Sequence, residues 1–206
     1  MTNEPIDGYA ALAPVYDKLN ADVDYDTWAD YIVRRFETEF RGADKPSLLL
    51  ELGCGTGSMT RALCKRGFDM IALDISEEML SVAEARLRAD GFANVLFLHE
   101  SMTDFELYGT VDGVICCLDG INHLTERDAL ADCFCNVARY LNPGGLFLFD
   151  VNTPAKFRSL YADNDYILEN DDCVLCWSNR LSKKGDVCDF HLTVFEELES
   201  GLYKRT

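Results

Sequence analysis

Three groups of residues in this chain have the types and spacing that chemistry needs. The first is Glu51-Leu52-Gly53-Cys54-Gly55-Thr56-Gly57, where a short apolar run ends at an acid and three alternating glycines. Glycine tolerates positive φ and lets backbone come close to a ligand, and a helix starting straight after such a turn aims its free N–H groups at the same place. In isolation, a turn that merely needs positive φ would look the same. The second is Asp74, 21 residues beyond Gly53 at the tip of the next apolar run. A carboxylate there can accept both hydroxyls of a ribose. The third is Cys117-Leu118-Asp119-Gly120-Ile121-Asn122-His123-Leu124, which holds one of the chain's 3 histidines. A loop histidine beside a cleft titrates near working pH and can act as a base. The position also suits a plain surface residue before a helix.

Two cofactor classes use a glycine turn of this kind. The dinucleotide fingerprint is G-x-G-x-x-G, in which the glycines admit a pyrophosphate. Here Gly57 comes one residue early and Ser58 stands where the last glycine belongs. Glu51, ahead of the first glycine, suits an amino or sulfonium group better than a diphosphate. The residues therefore fit S-adenosylmethionine, with NAD as the alternative.

To gather these groups at one edge, parallel strands must alternate with helices. Trp28, Ile32, Phe36 and Phe40 recur every four residues and predict a helix from Tyr25 to Phe40. Leu48-Leu49-Leu50 reads as a strand covered on both faces. A helix follows from Ser58 to Arg66, closed by Gly67, then a strand from Met70 to Leu73. Ser76 is the expected N-cap of the next helix, with Met79, Val82, Ala83 and Leu87 as its buried stripe. Strands are expected at Val95 to Leu98 and Val111 to Cys116, and a helix starting at Thr125 with Asp128 as a capping box. Asn142-Pro143-Gly144-Gly145 reads as a stop and turn into a strand from Leu146 to Phe149. The alternation predicts an α/β fold with a doubly wound, mostly parallel sheet, whose ligands lie outside the C-terminal strand ends.

After Asp150 the pattern changes. A short helix from Pro154 to Leu160 precedes strands at Tyr166 to Glu169, Cys173 to Leu181 and Val187 to Phe195, and Glu199-Ser200-Gly201 turns the chain toward Leu202 to Arg205. This is an antiparallel strand insertion after strand five. The expected division is residues 1–46 as an N-terminal helical lid segment, 47–152 as the cofactor-binding core and 153–206 as an antiparallel cap.

Composition sets outer bounds. A chain of 206 residues with 48% hydrophobic content can bury a real core, as one domain with an elaboration. With 36 Asp+Glu against 19 Lys+Arg, the net charge of -17 disfavours nucleic acid and anionic membrane surfaces as partners. There is no apolar run long enough to span a membrane and no secretory leader, and the cysteine count of 9 is odd, so a reducing, cytoplasmic location is expected. Cys173 and Cys176 would point to opposite faces of a strand, and Cys133 and Cys135 do not face each other on a helix, so no metal is expected.

ELGCGTG, ALDIS at 72–76, HESMTDF at 99–105 and LNPGG followed by LFLFD together resemble the class I S-adenosylmethionine-dependent methyltransferases, over about residues 9 to 152. The resemblance implies a Rossmann-like fold in which Glu51, Gly53, Cys54, Gly55 and Gly57 wrap the methionine part of the cofactor. It puts Asp74 on the ribose and Ile75 and Met102 beside the adenine. Ser101 stands where relatives often have an aspartate for the adenine amino group. Met79 and Cys117 complete the implied cofactor set. Ala13-Pro14-Val15-Tyr16-Asp17 looks like the lid segment of small-molecule members, where a tyrosine closes over the cofactor. On this likeness Tyr16 joins the cofactor-binding and catalytic candidates, against a simple packing role. Ile121-Asn122-His123-Leu124 looks like the loop of sugar N-methyltransferases in which a histidine is proposed to receive the amine proton. Uncharacterised bacterial relatives have tyrosine there. Asp119 and Asn122 are implied substrate contacts.

The expected activity is methyl transfer to nitrogen or oxygen of a small polar molecule, cationic or neutral given the acidic field. The alternatives are an RNA or protein methyltransferase, or a catalytically inactive binding protein of the same fold. A homodimer is among the assemblies open to it. The family's sheet normally closes with a further helix and an antiparallel strand pair. Lys204-Arg205-Thr206 falls inside what reads as the meander's last strand, so the expectation is a truncated form of a longer protein, with an unusual closure of the sheet as the alternative.

Overall fold

The computed structural model describes residues 9, 12–42, 44–170, 173–198 and 201–205. The expected turn at Glu199-Ser200 and residues 1–8, 10 and 11 of the aromatic N-terminal segment lie outside the described residues. The chain forms two compact units, one spanning Val23–Val151 and the other joining the described residues up to Asp22 with those from Asn152 onward.

The larger unit is a five-stranded parallel sheet in the order β3-β2-β1-β4-β5. Its strands are Leu48–Leu52 (β1), Asp69–Asp74 (β2), Leu96–His99 (β3), Val111–Cys116 (β4) and Leu141–Phe149 (β5). Alternation of side chains along β1 divides the core. Leu50 and Leu52 pack with Leu73, Val114, Cys133 and Val137. Cys133 and Val137 belong to the helix Arg127–Tyr140. On the opposite face Leu49 and Ile115 pack against Ala29, Ile32 and Phe36, and against Met59, Ala62 and Leu63. These come from the helices Tyr25–Glu39 (α2) and Ser58–Cys64 (α3).

The local chemistry explains where these helices stop and start. Asp24 caps α2 by accepting the Thr27 N–H at 2.9 Å. Arg66, just past α3, reaches back to Asp26 and Asp30 of α2 and fixes the two helices side by side. Gly113 of β4 leaves the space that the Phe36 ring fills; a Cβ there would overlap the ring. The helix Glu77–Ala89 (α4) begins as expected after Ser76, whose hydroxyl accepts the Met79 N–H at 3.4 Å.

Two local expectations are corrected. The helix after β4 begins at Arg127, with Glu126 as N-cap and no side-chain capping bond. Thr125 is not the cap because a 3₁₀ turn, Gly120–His123, comes first and the Thr125 N–H bonds back to the His123 carbonyl. Asn142-Pro143-Gly144-Gly145 does not end an element; it bulges inside β5, between Leu141 paired with Val111 and Leu146 paired with Gly113.

The smaller unit carries a short helix, Tyr16–Leu19 (α1), and an antiparallel sheet in the order β6-β7-β8-β9. The strands are Asp165–Asn170 (β6), Cys173–Leu181 (β7), Cys188–Glu197 (β8) and Tyr203–Arg205 (β9). A helical turn, Pro154–Lys156, runs into the π-turn Phe157–Tyr161 ahead of β6. Tyr161, Tyr166, Trp177 and Phe190 cluster on one face of this sheet. The fold is a Rossmann-like α/β architecture with an antiparallel insertion after the fifth strand. No helix among the described residues is long and apolar enough to cross a membrane.

Phe36 is 1% exposed between sheet and helices, so Phe36→Ala should lower the free energy of unfolding by about 3–5 kcal/mol through lost transfer energy and a cavity. Urea titration of the two proteins measures this difference.

Candidate functional site

The C-terminal ends of β1 and β2 meet at the glycine turn. Gly53, Gly55 and Gly57 all have positive φ, at 66°, 52° and 75°. Gly57 is also a point of close approach, because a Cβ there would sit 2.9 Å from Ala83 Cβ and Leu87 Cδ1 of α4. The Cys54 N–H extends the sheet by bonding to the Leu73 carbonyl at 2.9 Å, and the Cys54 side chain is buried beside Ala72 and Leu80. Arg86 of α4 donates to the Thr56 carbonyl at 3.1 Å and the Ser58 hydroxyl at 2.6 Å, bracing the turn from the helix side.

Asp74 closes the arrangement. One carboxylate oxygen accepts the Gly55 N–H at 2.7 Å, and the other accepts the Ser76 N–H at 2.9 Å. The residue is 8% exposed. Each oxygen of a carboxylate has two lone-pair directions, so an oxygen that accepts one N–H can accept a further donor. Next to it Ile75 is held out at 64% exposure, a large apolar side chain on a strand tip. The His99 ring Nε2–H donates to the Ile75 carbonyl at 2.8 Å and steadies that tip from β3. The Ser101 hydroxyl is engaged by Thr103, through its N–H at 3.2 Å and its hydroxyl at 2.8 Å. The Met102 methyl lies over Gly53. Met79, in the first turn of α4, is 1% exposed.

Beyond β4 the chain makes an unusual turn. Leu118 and Asp119 both have φ of 56° without being glycine. Such backbone costs free energy of order 1–3 kcal/mol per residue and persists where surroundings fix it. The Asp119 N–H donates to Asp150 Oδ2 at 2.9 Å, across from the end of β5. Asp150 Oδ1 is buried without a hydrogen-bond partner among the described residues. The 3₁₀ turn follows and leaves His123 exposed. Cys117 is half-buried; with Trp28, Tyr31, Phe149 and Asp150 it lines a cavity of about 500 Å³ between α2 and the strand ends.

The structure thus brings Glu51, the glycine turn, Asp74, Ile75, Ser101, Met102, Cys117 and the His123 loop to one edge of one unit. Tyr16 belongs to the other unit, where its ring meets Tyr9 at 6.5 Å. Thr60, Arg86 and Asp150 were not expected as contributors. Asp150 had one signal, an acid at a strand tip like Asp74; Thr60 and Arg86 had none, being ordinary helix residues.

A family model described as a methyltransferase domain matches residues 49–145. The chain is 31% identical over 172 residues to "Putative methyltransferase YqeM" of Bacillus subtilis (strain 168), covering 83% of this chain and 66% of that one. The chain therefore spans slightly under two thirds of that relative's length. A solved S-adenosylmethionine-dependent methyltransferase from Clostridium acetobutylicum ATCC 824 is 31% identical, with a TM-score of 0.82 over 96% of this chain and 78% of that one. DesVI of Streptomyces venezuelae shares the fold at 22% identity and a TM-score of 0.74, covering 94% of this chain and 80% of its own.

Glu51 is 3% exposed on β1, with the Thr60 hydroxyl donating to its Oε2. Burial pushes its carboxyl from the usual 4.5 up to about 8, against the opposing pull of the Thr60 hydrogen bonds. The folded chain therefore holds a proton that the unfolded chain has released between those values. Stability from this group is highest below 4.5 and falls as pH rises toward about 8. Glu51→Gln removes the titration, so the ligand-free variant should gain stability relative to the parent between about pH 5 and 8. Parallel thermal-unfolding slopes against pH for the two proteins would contradict this.

Proposed function

The chain belongs to the S-adenosylmethionine-dependent methyltransferases, and from that premise we propose that it transfers the methyl group of this cofactor to nitrogen or oxygen of a small polar molecule. One observation carries the reading: two buried carboxyl groups, Glu51 and Asp74, flank a three-glycine turn at the C-terminal ends of adjacent strands. The anionic Asp74 repels a diphosphate, and a second carboxyl at the same turn suits a ligand with a cationic amino acid end and a ribose. Their geometry fits S-adenosylmethionine for that reason.

In this reading Asp74, at the tip of β2, takes the ribose hydroxyls. The glycine turn admits the methionine part, with Glu51 toward its ammonium. Ile75 and Met102 offer apolar surface to the adenine, and Ser101 is the polar group at its edge. The bound cofactor supplies an activated methyl on a sulfonium, whose leaving group is already in place. The protein's task is then alignment, exclusion of water and removal of a proton where the acceptor carries one. His123, on the turn that Asp150 helps hold, is the proposed base for that proton, and Asp119 and Asn122 are proposed acceptor contacts. The cavity beside Cys117 and Asp150 supports approach of the acceptor at the β4 and β5 edge.

Calorimetry with S-adenosylmethionine should show binding, and Asp74→Ala should weaken it at least about tenfold, as expected for a lost pair of charged hydrogen bonds. No binding at millimolar cofactor would sink the enzyme reading. Amines and amino sugars, screened by release of S-adenosylhomocysteine, test the acceptor class. On any acceptor found, His123→Ala should lower turnover about 10²–10⁴-fold with little change in cofactor affinity.

A further inference from the structure

Glu51 is the one interruption in an otherwise apolar strand whose last four residues are all buried. The titratable groups around it are Cys54 of the glycine turn, Cys64 of α3, Asp74 of β2, and Cys116 and Cys117 at the end of β4. None of these is basic. The charged group acting on Glu51 is another acid, Asp74, and the hydrogen bonds favouring its ionised form all come from Thr60. The backbone donors of the site are given to Asp74 instead, through Gly55 and Ser76. Of two acids sharing one buried edge, Asp74 is provided for as an anion and Glu51 is not.

We propose that Glu51 carries a proton before the cofactor arrives and gives it to solvent when a ligand ammonium is seated beside it, so that cofactor binding is coupled to proton release. This rests on the reading that the glycine turn takes S-adenosylmethionine. The balance is simple. A neutral carboxyl and a cationic ammonium become a carboxylate–ammonium pair, and one proton leaves the protein per ligand bound. The buried carboxyl is held neutral until about pH 8, which places the exchange in the neutral range. The thiols do not compete. Burial pushes Cys54, Cys116 and Cys117 well above their usual value and Cys64 up to about 11, so they keep their protons throughout. Each proton released makes affinity rise with pH, by about tenfold per pH unit below the carboxyl's titration.

The experiment is calorimetry of the intact protein between about pH 6 and 7, in two buffers of different ionisation enthalpy. The probes are S-adenosylmethionine, S-adenosylhomocysteine, which keeps the ammonium without the sulfonium, and methylthioadenosine, which lacks both. We expect the first two to release close to one proton and to bind about tenfold tighter at the upper pH, and methylthioadenosine to do neither. In Glu51→Gln the pH dependence should vanish while methylthioadenosine still binds. Should that variant fold poorly, the infrared band of a protonated carboxyl in the parent protein must disappear when S-adenosylhomocysteine is added. Binding with equal heats in both buffers and a flat pH profile overturns the coupling. Retained pH dependence in Glu51→Gln overturns the assignment to this residue. No binding of any of the three probes overturns the cofactor reading itself.

Discussion

The edge of the larger unit depends on one carboxylate. The glycine turn presents a part-buried backbone N–H and the start of α4 a buried one, and donors removed from water must be satisfied. Asp74 takes both, from Gly55 and from Ser76, and so ties the turn after β1 to the turn after β2. The rest of the edge follows from that tie. With the turn drawn in, Gly57 lies so close to Ala83 and Leu87 that only glycine fits, and Arg86 can reach the Thr56 carbonyl. The tie is made by the chain's own groups, which is what a site needs in order to spend little free energy on reorganisation.

A second constraint comes from the sheet being covered on both faces. From Leu49 to Leu52 every side chain on β1 is buried whichever way it points, so the strand favours leucine there. Glu51 is tolerated there at a cost, since a buried carboxyl must be neutral or paired. Its hydrogen bond from Thr60 satisfies one oxygen without supplying charge. Local rules are broken in this way mainly where function requires it, and the break lies two residues from the turn that admits the ligand.

How far the sequence could be read follows from the range of each interaction. The glycine turn, Asp74 and the alternation of strands and helices are local patterns, and each stands where its spacing predicted. The Ser76 cap is local too and forms as expected. The Thr125 cap fails because a 3₁₀ turn intervenes, and nothing in Gly-Ile-Asn-His marks one. The Asn-Pro-Gly-Gly stretch carries every signal of a stop, yet β4 pairs on both sides of it and turns it into a bulge. Thr60 and Arg86 are invisible from sequence, because their roles arise only when α3 and α4 pack beside the turn.

The same distinction separates the two halves of the site. The half proposed for the cofactor is specified by residues 51–57 and 74–76, where glycine and a strand-tip acid make the backbone conformation nearly inevitable. The half proposed for the acceptor is not. Leu118 and Asp119 adopt positive φ although neither is glycine, and an Asp150 that lies 31 residues away in sequence helps hold them there. A turn that leans on a distant hydrogen bond can be reshaped by changing either partner, with the Asp74 tie left intact. The physics therefore lets the proposed acceptor end vary while the proposed cofactor end stays fixed, and it makes the reaction class readable from short motifs while contacts that exist only in the folded chain are left to choose the acceptor.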